Sequence, residues 1–451
     1  MNPGMVVKLR PSGPWRIGPD SGARNRVDAI YHSDTLYAAV TSAMAMLGAR
    51  DEWLDATARA SAPEVCFSSC FPFVDEIGFV APPRTVWPPS TPALMAARVR
   101  WKSARFVPLG IVQAILSGQG LDDSQWAVDG ESECLVPTGR SGPFRAGVRW
   151  NAAVDRLSGA AERHSTACLE FRPGAGLWTV VSFADDSAWE RWSGKVKAAF
   201  RWLADSGFGG ERSRGWGRSE APEFVEGTLP EMILGAPPKG APTGAGGQGP
   251  GAGELLDEAP AAVEPPSEEP PPVPPVEEPP SEEPPVADPP PTNELPEEEP
   301  LTPEALPSEE VGVREAAEVA GFAEAPAPGP WPPAPLGVPG PSSLAPLGAP
   351  LAPAPLGFSG PRAHWLLSLY TPSADDVVDW GRGSYSILTR GGRIETSGEL
   401  KKQLPMVEEG SVLVAADGLR GSAPDVAPDG FAHPVFRAGF AVSVPLPEAA
   451  Q

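Results

Sequence analysis

Arg212, Arg214 and Arg218 stand among five glycines (Gly207, Gly209, Gly210, Gly215 and Gly217) in the stretch GFGGERSRGWGRSE at residues 207–220. The chemistry such a pattern can do is anion binding: guanidinium groups supply charge and forked donors, while glycines let backbone N–H groups come close. Mononucleotide patterns do not fit. The Walker pattern GxxxxGK[ST] is absent, and GxGxxG fails because Arg212 or Glu220 falls where the third glycine is needed. The loop also follows a helix-like segment instead of preceding one, so the nearby helix end carries partial negative charge. The expected ligand is an extended polyanion, a nucleic-acid backbone. Arg212, Arg214 and Arg218, with Ser213 between them, would contact phosphate. Gly209 and Gly210 would allow close approach, and Trp216 would stack on a base or support the loop. A surface turn whose arginines are solvated or paired with carboxylates has the same composition.

Two further stretches carry charge. ARVRWKSARF places Arg98, Arg100 and Lys102 at alternate positions, which aligns them on one face if the piece is extended. TGRSGPFRAGVRWNAAVDRLSGAAER holds Arg140, Arg145, Arg149, Arg156 and Arg163, interleaved with Phe144 and Trp150 as stacking groups. The four histidines (His32, His164, His364, His433) and four cysteines (Cys66, Cys70, Cys134, Cys168) show no CxxC or HxxxH spacing, so buried free thiols are expected and no metal site. HD and GGDD motifs are absent, as is a clustered carboxylate pair of the two-metal type.

The elements that must position these groups begin with a short strand, MVVKLRP, and a helix over HSDTLYAAVTSAMAML. Ser33 or Asp34 is the expected N-cap of that helix, and Leu36, Val40, Met44 and Leu47 its buried stripe. CLEFRPGAGLWTVVSF reads as a hairpin. AWERWSGKVKAAFRWLADSG reads as a helix with Trp189, Trp192, Val196, Phe200 and Leu203 on one face and Gly207 closing it. The glycine-rich loop then leads into a strand at RSEAPEFVEG. Strand, helix, hairpin, helix, strand is the order of a ferredoxin-like split βαβ unit, a common RNA-binding platform. From HWLLSLYTP onward a second, smaller β-rich region is expected.

Between these regions the chain is rich in proline and acid. Of its 58 acidic and 35 basic residues, 21 acidic and one basic lie between Glu254 and Glu324, which leaves 37 acidic against 34 basic elsewhere. The formal net charge of −23, which alone would argue against a nucleic-acid partner, therefore belongs to one segment. That segment cannot bury enough apolar surface to order itself and is expected to be a disordered linker, partly in the polyproline II conformation. The start lacks a secretory h-region and no long apolar run occurs, so a cytoplasmic location without membrane is expected.

The loop GFGGERSRGWGRSE after a helix is similar to the signature loop of the RAMP superfamily of CRISPR proteins. With HSDTLYAAV, SSCFPFVDEIGFVAPP, VRWNAAVDRLSGAA, YSILTRGGRIETSGELKKQLPMVEEGSVL and HPVFRAGFAVSVP, it resembles the fourth Csm subunit of type III-A CRISPR effector complexes across both folded regions. The resemblance implies an α+β chain with two ferredoxin-like (RRM-like) domains, at 1–234 and 361–451; the acidic, proline-rich linker at 235–360 between them is where this sequence departs from the family. It implies a non-catalytic subunit without cofactor that grips the repeat-derived 5′ tag of CRISPR RNA. The partners it implies are the large polymerase- or cyclase-like subunit and a backbone subunit of the filament. His32, Arg145, Arg149 and Arg156 are further expected RNA contacts. Some relatives process CRISPR RNA without metal through a histidine, which leaves a metal-independent endoribonuclease using His32 as the alternative. An Asp near this loop cleaves target RNA in backbone subunits, whereas N-capping accounts for Asp34 here.

Overall fold

Met5, Val7 and Leu9 point inward at every second position of β1 (Asn2–Leu9), and all three are fully buried. In the computed structural model, which describes residues 2–19, 23–90, 94–235, 361–394 and 397–447, this strand lies inside an antiparallel sheet. It is followed by α1 (Ser33–Met46), α2 (Arg50–Ala56), β2 (Val65–Phe67), β3 (Phe71–Val74) and β4 (Ile77–Val80). Next come α3 (Met95–Trp101), β5 (Val107–Pro108), α4 (Leu109–Leu116), and the paired β6 (Trp126–Val128) and β7 (Leu135–Pro137). A long ribbon of β8 (Phe144–Val154) and β9 (Ala161–Phe171) precedes β10 (Ala175–Phe183), α5 (Asp186–Ser206), β11 (Glu223–Leu229) and α6 (Glu231–Leu234).

The main sheet runs β11-β1-β10-β3-β4-β5, with β2 also on β10. Val6 of β1 sits opposite Val180 of β10 on one side and Val225 of β11 on the other. The two helices that follow β1 and β10, α1 and α5, pack on each other, and α5 packs on both strands. Asp185 caps α5 by accepting from the Ala188 N–H at 2.9 Å, and Gly207 closes it at φ +77°. Trp192, Val196, Phe200 and Leu203 form its buried stripe, as the spacing requires, with Trp189 partly buried beside them. In α1 the stripe is Leu36, Val40, Ala43 and Met44. Leu47 falls just beyond the last turn and is 44% exposed.

Three expectations change. ARVRW is not extended: it forms α3, so Arg98 and Arg100 occupy a last helical turn, where Arg100 pairs with Asp123. The piece read as a hairpin, 168–183, is two strands in different sheets. β9 pairs with β8 along its whole length, while β10 turns away after Gly174 into the main sheet. Phe144, expected at the surface, is buried against Phe106 and Phe171.

The C-terminal part contains β12 (Arg362–Leu366), β13 (Val378–Ser384), β14 (Ile387–Arg390), β15 (Leu404–Val407), β16 (Val412–Ala415), β17 (Gly421–Ser422), β18 (Gly439–Phe440) and β19 (Ser443–Pro445). Four of these form a sheet in the order β13-β16-β12-β19, and β14–β15 and β17–β18 form two ribbons. It is β-rich as expected, with no α-helix among its described residues.

Its strands share one apolar cluster with the N-terminal part, which unites Trp15, Leu36, Phe71 and Phe200 with Trp365, Val412 and Phe440. Trp365 donates its ring N–H to the Ala81 carbonyl at 3.0 Å, and the Ser69 N–H donates to the Leu367 carbonyl at 2.9 Å. The two stretches thus form one compact unit, and the chain is α+β. Residues 236–360, where the linker is expected, lie outside the described residues. No helix among the described residues is long and apolar enough to cross a membrane.

Candidate nucleic-acid interface

The glycine-rich loop is folded onto the segment that follows β1. The Trp15 ring N–H donates to the Phe208 carbonyl at 2.6 Å, and the Phe208 ring packs edge-on against Trp15 and Tyr31. The Gly210 N–H donates to the Arg16 carbonyl at 2.8 Å, and the Gly217 N–H to the Pro14 carbonyl at 3.1 Å. Two glycines are demanded by this packing. Gly209 has φ +91°, with space for a side chain filled by the Arg16 carbonyl, and Gly217 has φ +78°, where a Cβ would lie 2.0 Å from the Phe208 carbonyl. Gly209 and Gly210 therefore serve close approach of the chain to itself. Trp216 is buried and supports the loop, which decides between its two expected roles.

What the loop turns outward is charge. Arg212, Ser213, Arg214 and Arg218 are all exposed, with Arg212–Arg214 in one tight turn. Arg214 pairs with Glu211 at 2.6 Å and reaches His164. Arg145 and Arg149 lie on the β8–β9 ribbon, both clasping Glu170 at 2.9 and 2.6 Å, and Arg156 is exposed at the ribbon tip. Trp150 projects from the ribbon, 67% exposed, with the Arg163 guanidinium 5.5 Å from its ring centre.

His32 is a different case. It is 2% exposed, and both ring nitrogens are occupied: Nδ1 lies 2.8 Å from Glu409 and Nε2 3.3 Å from Asp28. Burial alone would lower its pKa, but the Glu409 charge and the bonds to Asp28 and Glu409 outweigh this and lift it to about 10. The ring is held as a cation inside the fold, with both nitrogens engaged and only its edge reaching the cavity lining.

Asp34 is not the helix cap either. Its carboxylate is gripped by Arg390, at 3.1 Å from Nε and 3.2 Å from Nη2, and by Arg437. All three residues are buried. Burial opposes ionisation of Asp34, yet Arg390 and then Arg437 hold its pKa well below the usual carboxylate range. Helix α1 starts without a side-chain cap because the Ser33 hydroxyl accepts from the Leu369 N–H instead, at 3.0 Å. The helix start is thus bound to the C-terminal part by two charge clusters that span more than 350 residues of sequence.

These clusters floor a groove. A cavity of about 540 Å³ is lined jointly by Gly209, Gly210 and Arg212 of the Gly-rich loop and by Arg390 and Arg393 of the C-terminal part. Across Gly18, Thr35 and Ala38 it adjoins a second cavity of about 890 Å³, walled by Arg393, Lys401, Gln403 and Phe436. Among the described residues the groove is lined by Arg16, Arg212, Arg390, Arg393, Lys401 and Arg437, and the one carboxylate in that lining, Asp34, is paired with two arginines. Such a lining can bind a polyanion and hold bases against Phe436. The cysteines are all free thiols, and no group of histidines, cysteines or carboxylates suited to a metal occurs among the described residues. Sequence reading missed Arg390, Arg393, Lys401 and Arg437. The signal available was the TRGGR stretch, a second glycine–arginine turn.

Residues 361–446 match the family model of the CRISPR Csm4 C-terminal domain. That match spans the C-terminal part alone, residues 361–446, and defines it as a CRISPR-associated domain. More particularly, its C-terminal domain belongs to the Csm4 family, and the resemblance to the fourth Csm subunit is borne out. The chain is also similar to solved structures. To a chain of a Csm1–Csm4 cassette in complex with cA4 it is 14% identical with TM-score 0.45, covering 99% of this chain and 98% of that one. To a chain of a Csm3–Csm4 subcomplex of a type III-A interference complex the values are 12% and 0.49, covering 98% and 99%. To a chain of a type III-B Cmr-β complex bound to cognate target RNA they are 9% and 0.30, covering 50% and 61%. No curated protein matches.

Proposed function

We propose that this protein is the non-catalytic subunit that caps a type III-A CRISPR effector complex in the cytoplasm, holding the repeat-derived 5′ tag of CRISPR RNA in the basic groove. The observation that carries the reading is that groove itself, with the Gly-rich loop at its rim, in a chain with a Csm4 C-terminal domain. Arg212, Arg214 and Arg218 contact phosphate, and Arg145, Arg149 and Arg156 extend the contact along the ribbon. The N-terminal part, 1–234, is read as a ferredoxin-like unit: the order β11-β1-β10-β3, with α1 and α5 packed together, has the connectivity of a split βαβ arrangement. Residues 361–451 form the second domain and 235–360 the linker. The partners are the large subunit, Csm1, and the backbone subunit, Csm3.

Burial of His32 supports the absence of catalysis. A histidine fixed as a cation by two carboxylates has no free nitrogen to take a proton from a ribose 2′-OH, so the endoribonuclease alternative loses its general base. The test is RNA binding by the full chain across a salt series. Changing Arg212, Arg214 and Arg218 together to Ala should lower the slope of log affinity on log salt by about 0.7 for each phosphate no longer neutralised, with the fold intact. An unchanged slope removes the loop from the interface.

A further inference from the structure

Arg16, in the segment that follows β1, is 7% exposed, and its guanidinium is turned into the protein. Nη1 donates to the carbonyls of Ala167 at 2.8 Å, Arg24 at 3.0 Å and Arg26 at 3.3 Å, and Nη2 donates to the Ala23 carbonyl at 2.9 Å. Four backbone acceptors thus occupy most of the five donors that a guanidinium has. Three of them belong to the 23–26 segment and the fourth to β9. The main chain of Arg16 is engaged as well: its carbonyl accepts from the Gly210 N–H at 2.8 Å, so the same residue seats the Gly-rich loop. Residues 23–26, 167 and 210 converge on one arginine.

What these bonds hold in place is charged on its outer side. Arg24 and Arg26 are exposed, with their carbonyls drawn inward. Ala167 stands opposite Val148 near the foot of the β8–β9 ribbon, between the pairs Arg145–Glu170 and Arg149–Thr166. The 23–26 segment and the ribbon meet there: the Ala167 N–H donates to the Arg24 carbonyl at 2.9 Å, and a further cavity of about 470 Å³ is lined jointly by Arg26, Arg105, Gly147 and Val148. The ribbon meets the Gly-rich loop where Arg214 reaches His164.

We infer that Arg16 is a positioning residue for RNA binding, which contacts no RNA itself but fixes the foot of the ribbon and the 23–26 segment against the Gly-rich loop, so that Arg145 and Arg149 meet the same strand as Arg212. This rests on the RNA-binding reading above and concerns the N-terminal part alone. Because every acceptor is a main-chain carbonyl, the shape of the guanidinium does the holding. A lysine at this position keeps the charge but carries a single ammonium with three donors, which cannot fork to four acceptors on two segments.

The experiment uses the full chain, a fluorescently labelled single-stranded RNA oligonucleotide and a salt series. The ribbon pair Arg145→Gln with Arg149→Gln is measured in the wild-type background and again with Arg16→Lys. In wild type the pair should lower the slope of log affinity on log salt by about 1.4, two phosphates at about 0.7 each; with Arg16→Lys it should lower it by less than half of that. A role in stability alone would leave the contribution of the ribbon pair unchanged in the folded protein. Gly210→Ala tests the same point if Arg16→Lys does not fold: a Cβ there stands 3.0 Å from Cδ and 3.2 Å from Cγ of Arg16, so the stem must shift while every donor and acceptor remains, and the effect of the ribbon pair should again shrink. If the pair lowers the slope equally in all three backgrounds, or has no effect in wild type, the positioning role is wrong and the RNA-binding reading stands on the Arg212, Arg214 and Arg218 variant. If the wild type shows no salt-dependent binding, the RNA-binding reading itself fails.

Discussion

Asp34→Ala removes the one carboxylate that two buried arginines share. The side chains of Arg390 and Arg437 are 8% and 7% exposed, so neither can recover its hydration by a small movement. The Nε of Arg437 already has no partner, which leaves this guanidinium dependent on Asp34 and the Gly391 carbonyl. Removing one partner of a buried pair costs about 3–5 kcal/mol, and here two like charges are left facing each other, so the upper half of that range applies. In a folded unit of this size about 4 kcal/mol lowers the melting temperature by roughly 10 °C. Circular dichroism melts and urea titrations of the full chain measure this directly. Arg437→Met in the Asp34→Ala background relieves one unpaired charge, so the double variant should be more stable than the sum of the single effects by more than about 1 kcal/mol. A melting temperature within about 2 °C of wild type for Asp34→Ala, or strict additivity, would refute the reasoning.

Stability should also depend on pH through His32. Its folded pKa, about 10, is raised above the ordinary 6.5, so its contribution is fully present below about 6.5 and is lost as pH rises through about 10. Denaturation midpoints should therefore fall between those limits in wild type, and the fall should be absent in His32→Gln. Asp34 and Glu409 are depressed, so their contributions are present above the ordinary carboxylate range and lost as pH falls below it, which predicts weakening under acid as well. Gly217→Ala should destabilise by about 1–3 kcal/mol and weaken RNA binding, since a Cβ there meets the Phe208 carbonyl, whereas Gly215→Ala, at a similar φ with open space, should cost only the backbone strain of about 1 kcal/mol. Replacing residues 236–360 by a short Gly/Ser linker removes the 254–324 segment with its excess of 20 negative charges, and should raise nonspecific RNA affinity at low ionic strength while leaving the melt unchanged. Loss of folding in that variant would make the segment structural.

The two long helices, α1 and α5, and the strands β1, β9, β10 and β11 were legible because their signals are local, whereas the short elements between α1 and β9 were not. The stripe of α5 and its closing Gly207 follow from a 3.6-residue period and a left-handed cap, and both stand where the sequence puts them. The charged site was legible only in half. That Arg212, Arg214 and Arg218 face outward follows from their glycine-rich surroundings, but partners hundreds of residues apart leave no local trace. His32 read as a surface contact because nothing near it announces Glu409, and Asp34 read as a cap because Ser/Asp before an apolar run usually is one. α3 was misread for a related reason: alternating Arg98, Arg100 and Lys102 mimic a strand, while Ala97 and Trp101, four apart, are what the core buries. The 168–183 pairing failed because strand existence is a local property and strand partnership is not.

The central claim is that a defined end of CRISPR RNA lies in the groove between the Gly-rich loop and the C-terminal turn. Ultraviolet crosslinking of the assembled complex in cells, with sequencing of the RNA bound to this chain and mass spectrometry of the crosslinked peptides, tests it in one measurement. The account predicts crosslinks from repeat-derived 5′ tag nucleotides to peptides that contain Phe208–Arg218 and Arg390–Phe436. Crosslinks spread over the spacer, or confined to peptides away from both walls of the groove, would contradict it.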